Sequence, residues 1–431
     1  MKKIHVTTLG CSKNTVDSEV LMGQLDNNKT QIVDSAEEAD LLIINTCGFI
    51  QEAKEESIQA IFEALRFKEE DPAKSVYVAG CLSQRYRNEI EKEIPEVDAI
   101  FGTEEFSKIL DSLGLQHSAM DNMYRARKVS TPRHYAYLKI SEGCNHTCSF
   151  CAIPGIRGKH RSREMDSLVD EARKLAENGA KELILISQDT SYYGRDLYGK
   201  SKIVELVQAL QDIPGIEWIR LLYWYPTNFP KGILDLMQPG SKVVPYIDMP
   251  IQHISDRMLR LMRRGDTRVS LLKLFYQMRE QVPQVILRTT LILGHPGETD
   301  EDFKELFEFI NDIKFDRLGT FTYSDEEHTP AFGLENKVAH EIALDRQKQI
   351  MELQQAISLE RNQSRIGNTY QVLVDFWQKE SGVFIARTNM DAPEIDNEVL
   401  ISGDAKVSKP GQFAMVEIID ASEYELYARF I

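Results

Sequence analysis

Little in this sequence is suited to holding a protein together outside the cell or inside a bilayer. Among 431 residues there are only six cysteines and three tryptophans. Six thiols in so long a chain do not make a disulfide scaffold, which small secreted domains need because their cores are too small. No stretch approaches the roughly 18 uninterrupted apolar residues of a membrane-spanning helix, and the longest runs, such as Leu41 to Ile44 and Leu183 to Ile186, are strand-sized. The opening Met1-Lys2-Lys3-Ile4-His5 runs directly into a strand-like segment, without the pattern of a signal peptide. A cytoplasmic protein with reduced thiols and no membrane contact is expected. Positive charge is also short: 51 Lys and Arg against 67 Asp and Glu leave a formal charge of -16. That balance argues against a chain whose main task is gripping phosphates and leaves a basic protein open as partner. A hydrophobic content of 42% excludes disorder, and the length exceeds one core, so two or three domains are expected.

Strand-like and helix-like segments alternate through most of the chain. Ile4 to Leu9, Leu41 to Asn45, Ser75 to Ala79 and Val97 to Phe101 read as short buried strands separated by helices, the rhythm of a parallel sheet with crossover helices over residues 1–118. In one helix, Glu52 to Lys68, the residues Ile58, Ile61, Phe62 and Leu65 form the expected sheet-facing stripe. The periodicity fails between Leu113 and Arg133, which reads as a polar linker. Across 130–361 six further strands are expected: Ala136 to Ile140, Glu182 to Ser187, Trp218 to Tyr223, Tyr246 to Met249, Ile286 to Leu293 and Leu318 to Tyr323. At about 35 residues per strand-plus-helix unit they fit a partial (β/α)6 barrel, closed by a helix from Ile342 to Arg361. Residues 363–431 change texture: Tyr370 to Phe376, Val383 to Ala386, Glu398 to Ile401 and Phe413 to Ile419, parted by glycines, imply a small antiparallel β-barrel. The fold class is therefore multidomain α/β.

The cysteines sort into two threes. Cys144, Cys148 and Cys151 lie in a C-x3-C-x2-C loop directly after the first barrel strand, at the strand end where barrel active sites collect. Three thiolates on one loop can hold three irons of a 4Fe-4S cluster, leaving the fourth iron open to a substrate. The competing reading is zinc, with His146 or His160 as a fourth ligand. Cys11, Cys47 and Cys81 are far apart in sequence, but each follows a strand of the first sheet, and such strand ends converge on one edge. Gly10, Gly48 and Gly80 beside them leave room for a bulky group, so a second open cluster is expected; the alternative is three buried cysteines acting as small hydrophobes.

The loop with Phe150 before its last cysteine resembles the radical S-adenosylmethionine superfamily. Almost end to end, the chain resembles the methylthiotransferases of that superfamily. The resemblance rests on Leu9-Gly10-Cys11-Ser12-Lys13-Asn14 with Asp17-Ser18-Glu19, on Asn45-Thr46-Cys47, and on Gly80-Cys81-Leu82-Ser83-Gln84-Arg85. It continues in Tyr137-Leu138-Lys139-Ile140-Ser141-Glu142-Gly143, Ile153-Pro154, Arg157-Gly158 and Arg161-Ser162-Arg163, and the last domain resembles a TRAM domain. Gln188-Asp189-Thr190, Tyr223-Trp224-Tyr225-Pro226 and Tyr246-Ile247-Asp248-Met249-Pro250-Ile251-Gln252-His253 resemble the branch that modifies an aspartate of small-subunit ribosomal protein S12, rather than the branches that modify transfer RNA. The resemblance implies two 4Fe-4S clusters, on Cys11, Cys47 and Cys81 and on Cys144, Cys148 and Cys151, with S-adenosyl-L-methionine as co-substrate and a donor such as flavodoxin or ferredoxin. It implies that S-adenosylmethionine is split to a radical that takes hydrogen from the aspartate β-carbon, where a methylthio group is then placed.

Phe150, Arg288 and Gly294 are the expected S-adenosylmethionine contacts. Each has a plainer alternative: Gly294 in Gly294-His295-Pro296-Gly297 as an ordinary turn, Arg288 paired with a structural carboxylate, Tyr223 to Tyr225 and Gln252-His253 as core. No proton-transfer role is expected for His253. Charge supplies a further argument on substrate, because the region from Asn362 holds eleven acids against six bases, concentrated between Asp391 and Glu398. Such a surface suits a basic ribosomal protein better than an RNA backbone, or is merely solvated. The rivals are a transfer-RNA adenosine methylthiotransferase and, in another class, a non-catalytic metal-binding or electron-transfer protein.

Overall fold

In the computed structural model residues 1–118, 120–403 and 408–431 are described. Asp404 and Lys406, counted above in the charge of the last domain, lie outside them. Leu41–Thr46 is buried at every position, as a central parallel strand covered on both faces must be. It sits mid-sheet in a five-stranded parallel sheet ordered Thr30–Ile32, Lys2–Thr8, Leu41–Thr46, Ser75–Gly80, Ala99–Ile100. The edge strand Thr30–Ile32, three residues long, carries no pattern that the sequence could announce. The helix Gln51–Glu70 buries Ser57, Ile61, Ala64 and Leu65, whereas Ile58 and Phe62 are 39% and 47% exposed. The expected stripe is thus displaced, because Ser57 turns inward to hydrogen-bond the backbone of Cys47.

Six parallel strands follow in chain order as two three-stranded sheets, Tyr135–Lys139, Glu182–Ile186, Trp218–Leu221 and Tyr246–Asp248, Ile286–Leu293, Arg317–Thr322. A parallel bridge between Ile219 and Val243 joins them into one incomplete barrel. The segment expected as a polar linker instead forms the helix Met120–Arg125 and a packed joint. Met123 and Tyr124 are buried, and Arg127 pairs with Glu19 at 3.4 Å and Glu171 at 2.8 Å. Of its polar residues Arg127 serves a buried ion pair between domains, while Asn122, Lys128 and Arg133 are exposed. Among the described residues no helix is long and apolar enough to cross a membrane.

After the helix His340–Gln363, five strands close a small barrel in the order Thr369–Gln378, Val383–Thr388, Glu398–Ser402, Glu425–Phe430, Phe413–Ala421. The antiparallel expectation holds for four seams; Glu398–Ser402 and Glu425–Phe430 run parallel, and the latter strand was absent from the sequence reading. The acidic run changes meaning here. Asp391 is buried against Arg317, with Nε at 3.1 Å, and the carboxylate of Asp396 is buried near Arg288 at 3.5 Å and accepts from the Tyr246 hydroxyl. Two of the acids expected on a docking surface therefore neutralise arginines at the floor of the central barrel. Burial raises the cost of each charge, and the partner charge offsets it.

Candidate active site between the first and second domains

The register of the first sheet decides where its thiols stand. Thr8 pairs with Asn45 and Thr46 with Gly80, so Cys47 and Cys81 are the next residues on two adjacent strands, and Cys11 leaves the third strand beside them. Gly10 turns at φ +86, and a Cβ there would lie 2.7 Å from the Cys47 Cβ; at Gly80, φ +101, it would lie 2.4 Å from Asn45 Oδ1. The space these glycines provide is thus taken by neighbouring strand ends rather than left for a ligand. The Ser57 hydroxyl accepts from the Cys47 N–H at 2.9 Å and donates to its carbonyl at 2.8 Å. The Asn14 amide donates to the carbonyls of Leu9 and Thr46 at 2.9 and 3.0 Å, tying two strand ends together. Cys47 and Cys81 are buried and Cys11 is exposed.

The other three thiols are held by their own loop. Cys144 N–H donates to the Gly158 carbonyl at 3.1 Å and Cys151 N–H to that of Cys148 at 3.2 Å. His146 stacks on Tyr225 with ring centroids 3.6 Å apart, and its Nε2 lies 2.7 Å from Asp189. Arg264 lies 4.2 Å from the same tyrosine ring. The Ser149 hydroxyl meets His295 Nε2 at 3.0 Å. The aromatic run, the Gln188-Asp189-Thr190 segment and the glycine-rich turn, separate in sequence, therefore all reach the cysteine loop. Within the run, Trp224 is core while Tyr223 and Tyr225 face functional residues. Phe150 is half-buried at the loop.

The two sets meet. Cys81 packs on Ala152, the residue after Cys151, and on Ile156 one turn further, and Arg157 Nη2 lies 3.5 Å from the Cys81 sulfur. Arg157 also donates to Asp17 and Glu142, each at 2.9 Å. Lys139 donates to Glu142 at 2.8 Å and pairs with Asp17, and Gln188 donates to Glu142 at 2.7 Å. Burial alone would depress the Lys139 ammonium, but Asp17 and Glu142 hold it well above the usual lysine range. Burial alone would raise Glu142, but Lys139 and Arg157 hold it down at about 2. A second clasp joins Glu326 of the barrel domain to Lys54 at 3.0 Å and Arg85 at 2.6 Å. Asp17, Arg85, Lys139, Glu142 and Arg157 were visible as motif letters, Lys54 and Glu326 were not, and no sequence pattern assigned them to one another.

Burial pushes the thiols of Cys81, Cys144 and Cys151 up to about 12, and that of Cys47 upward. As thiolates they require a compensating cation, which iron supplies. Among the described residues no three His, Cys, Asp or Glu side chains converge as around one ion. A cluster places a separate iron behind each sulfur, so neighbouring rather than converging thiols fit it. Both candidate zinc histidines are engaged elsewhere, His146 with Asp189 and His160 Nε2 with Ser162 at 3.1 Å.

Two of the expected cofactor contacts have other engagements in the structure. Arg288 is held by Asp248 at 2.7 Å and Asp396 at 3.5 Å, so its charge is already neutralised inside the barrel. Gly294 has φ +78, and a Cβ there would lie 2.5 Å from the Ala343 Cβ, so helix packing explains it. His253 is buried, and burial pushes its pKa down to about 3.

An incomplete six-strand barrel with a three-cysteine loop at the end of its first strand defines a radical S-adenosylmethionine protein, here flanked by a parallel-sheet domain and a small barrel. Family models agree in that order: uncharacterized protein family UPF0004 over 3–102, the Radical SAM superfamily over 138–310 and the TRAM domain over 366–431. The superfamily implies a 4Fe-4S cluster and S-adenosylmethionine. The ribosomal protein uS12 methylthiotransferase RimO of Flavobacterium johnsoniae is 49% identical over 99% of this chain and 97% of its own. That of Bacteroides thetaiotaomicron is 46% identical over 100% of this chain and 98% of its own. The chain belongs to the RimO family. Among solved structures, the radical S-adenosylmethionine methyltransferase TsrM of Kitasatospora setae shares the fold with a TM-score of 0.57, at 12% identity over 83% of this chain and 89% of that one.

Proposed function

We propose that this chain transfers a methylthio group to the β-carbon of an aspartate side chain of ribosomal protein uS12. The observation that supports this reading is the packing of Cys81 of one cysteine set on Ala152 and Ile156, in the segment that leaves Cys151 of the other. Cys144, Cys148 and Cys151 would hold the cluster that binds S-adenosylmethionine, and Cys11, Cys47 and Cys81 a second one. When bound, these groups supply the electron that cleaves S-adenosylmethionine and the sulfur that is transferred, chemistry needed because the target C–H is too weak an acid for any side-chain base. Arg157, Asp17, Lys139 and Glu142 fix the spacing of the two sets and keep water from the ground between them. Phe150, half-buried at the cysteine loop, would line the S-adenosylmethionine pocket. A small electron-transfer protein such as flavodoxin or ferredoxin serves as donor, and the work is done in the cytoplasm.

The test is anaerobic turnover of the cluster-reconstituted protein with S-adenosylmethionine, a reductant, and either uS12 or transfer RNA. The expected product is uS12 heavier by about 46 Da, the exchange of H for SCH3. A product on RNA alone would favour the transfer-RNA reading, and stoichiometric zinc without iron would favour the non-catalytic one.

A further inference from the structure

Lys13 stands two residues after Cys11, in the first turn of the helix Ser12–Leu25, and is 6% exposed. Among the described residues its ammonium makes no hydrogen bond and no ion pair. It lies instead 2.9 Å from the centroid of the Tyr223 ring, at the end of a barrel strand of the second domain. Asp17, four residues on along the same helix, would be its natural partner. Both Asp17 oxygens are taken, one by Lys139 and the other by Arg157 at 2.9 Å, and Glu142 is likewise taken by the same two cations. The surrounding charges are matched without Lys13.

The body of the Lys13 side chain is buried but its nitrogen keeps a solvent-accessible side, so its donors, met only by a cation–π contact of about 0.5–2 kcal/mol, stay free for an anion. The position of this unanswered charge is informative. It follows the first cysteine set directly in sequence, and it touches the aromatic run whose Tyr225 stacks on His146 of the second set. Tyr223 itself has φ +63, a conformation that a tyrosine adopts only under constraint, and its N–H donates to Asp248 at 3.0 Å. The ring that receives Lys13 is therefore held in place by the barrel.

We propose that Lys13 binds the carboxylate of the acidic side chain that is modified. This rests on the functional reading above and names the residue that makes an aspartate, rather than a neutral side chain or a base, the accepted target. The ammonium leaves the Tyr223 face to make a charge-assisted hydrogen bond to the carboxylate, which holds the adjacent β-carbon between the two cysteine sets.

The test uses the reconstituted full chain and two labelled peptides spanning the modified uS12 loop, one with the native aspartate and one with asparagine in its place. Fluorescence anisotropy gives Kd, and anaerobic turnover gives KM, kcat and 5'-deoxyadenosine. Lys13→Met is expected to raise Kd and KM for the aspartate peptide about 10- to 100-fold and to leave the asparagine peptide unchanged. Iron content and peptide-free cleavage of S-adenosylmethionine should be unchanged, and Lys13→Arg should recover most of the binding. With the wild-type chain alone, asparagine in the peptide should weaken binding to the level of Lys13→Met, a measurement that needs no variant to fold. Equal loss for both peptides would overturn the proposal in favour of a scaffold role. Loss of cofactor cleavage would transfer Lys13 to the S-adenosylmethionine carboxylate, and loss of iron would transfer it to the first cysteine set. Failure of the wild-type chain to bind or modify either peptide or whole uS12, with transfer RNA modified instead, would reject the functional reading itself.

Discussion

The two cysteine sets reach similar ends by opposite routes. Cys144, Cys148 and Cys151 are neighbours because the chain is short between them, and their loop is held by its own hydrogen bonds and by His146 and Ser149. Cys11, Cys47 and Cys81 are neighbours only because three parallel strands pair in one register, with Thr46 beside Gly80 and Thr8 beside Asn45. A loop can keep its spacing when the fold is perturbed, whereas strand ends cannot. The loop set should therefore be the more robust of the two, and the strand-end set should report on the integrity of the first domain.

The largest separation between them is expected from removing one thiol of each. Cys148→Ala should take cofactor cleavage to background, and Cys47→Ala should preserve that cleavage while abolishing methylthio transfer. In each variant iron should fall from about eight to about four atoms per chain. Loss of all iron in either variant would show that the sets do not assemble independently. Asp17→Asn comes next, since it leaves Lys139 and Arg157 sharing only Glu142. A cost of about 3–5 kcal/mol in denaturant unfolding is expected, with transfer reduced about tenfold or more while uncoupled cofactor cleavage persists.

Gly80→Ala tests the dependence on register more gently. A side chain at φ +101 costs about 1–3 kcal/mol in backbone strain before its contact with Asn45 is counted. Iron should be lost from the first domain only, and retention of both clusters would weaken the strand-end argument. The smallest effect is a global one that should leave the contrast intact. His253 is held to about 3 by burial against about 6.5 when unfolded, so the unfolded chain takes up its proton first as pH falls. Its stabilising contribution is complete above about 6.5 and is lost towards pH 3, the loss reaching about 1 kcal/mol one unit below the unfolded value. His253→Gln should flatten that part of the acid unfolding curve without altering iron at either set.

Much of this was legible beforehand for physical reasons that differ by region. Strands buried on both faces announce themselves as apolar runs, so Leu41–Thr46 and all six barrel strands were recognisable within about two residues at each end. Thr30–Ile32 and Glu425–Phe430 were missed because they are short or follow polar turns. Charged residues were the least readable. Arg127 looked like linker, the Asp391 to Glu398 run looked like surface, and Arg288 looked free to meet a ligand. Arg127, Arg288 and two acids of that run, Asp391 and Asp396, belong to ion pairs whose partners lie far away in sequence.

The sequence by itself determined the six thiols, their grouping into a local three and a dispersed three, and the order of the domains, because spacing and periodicity are properties of the chain. Only the tertiary structure decided that the two sets face each other through Cys81, Ala152 and Ile156, and that Asp17 is fully engaged while Lys13 is not. A charge acquires its role from what stands within a few ångströms of it, and in this protein those neighbours come from another domain.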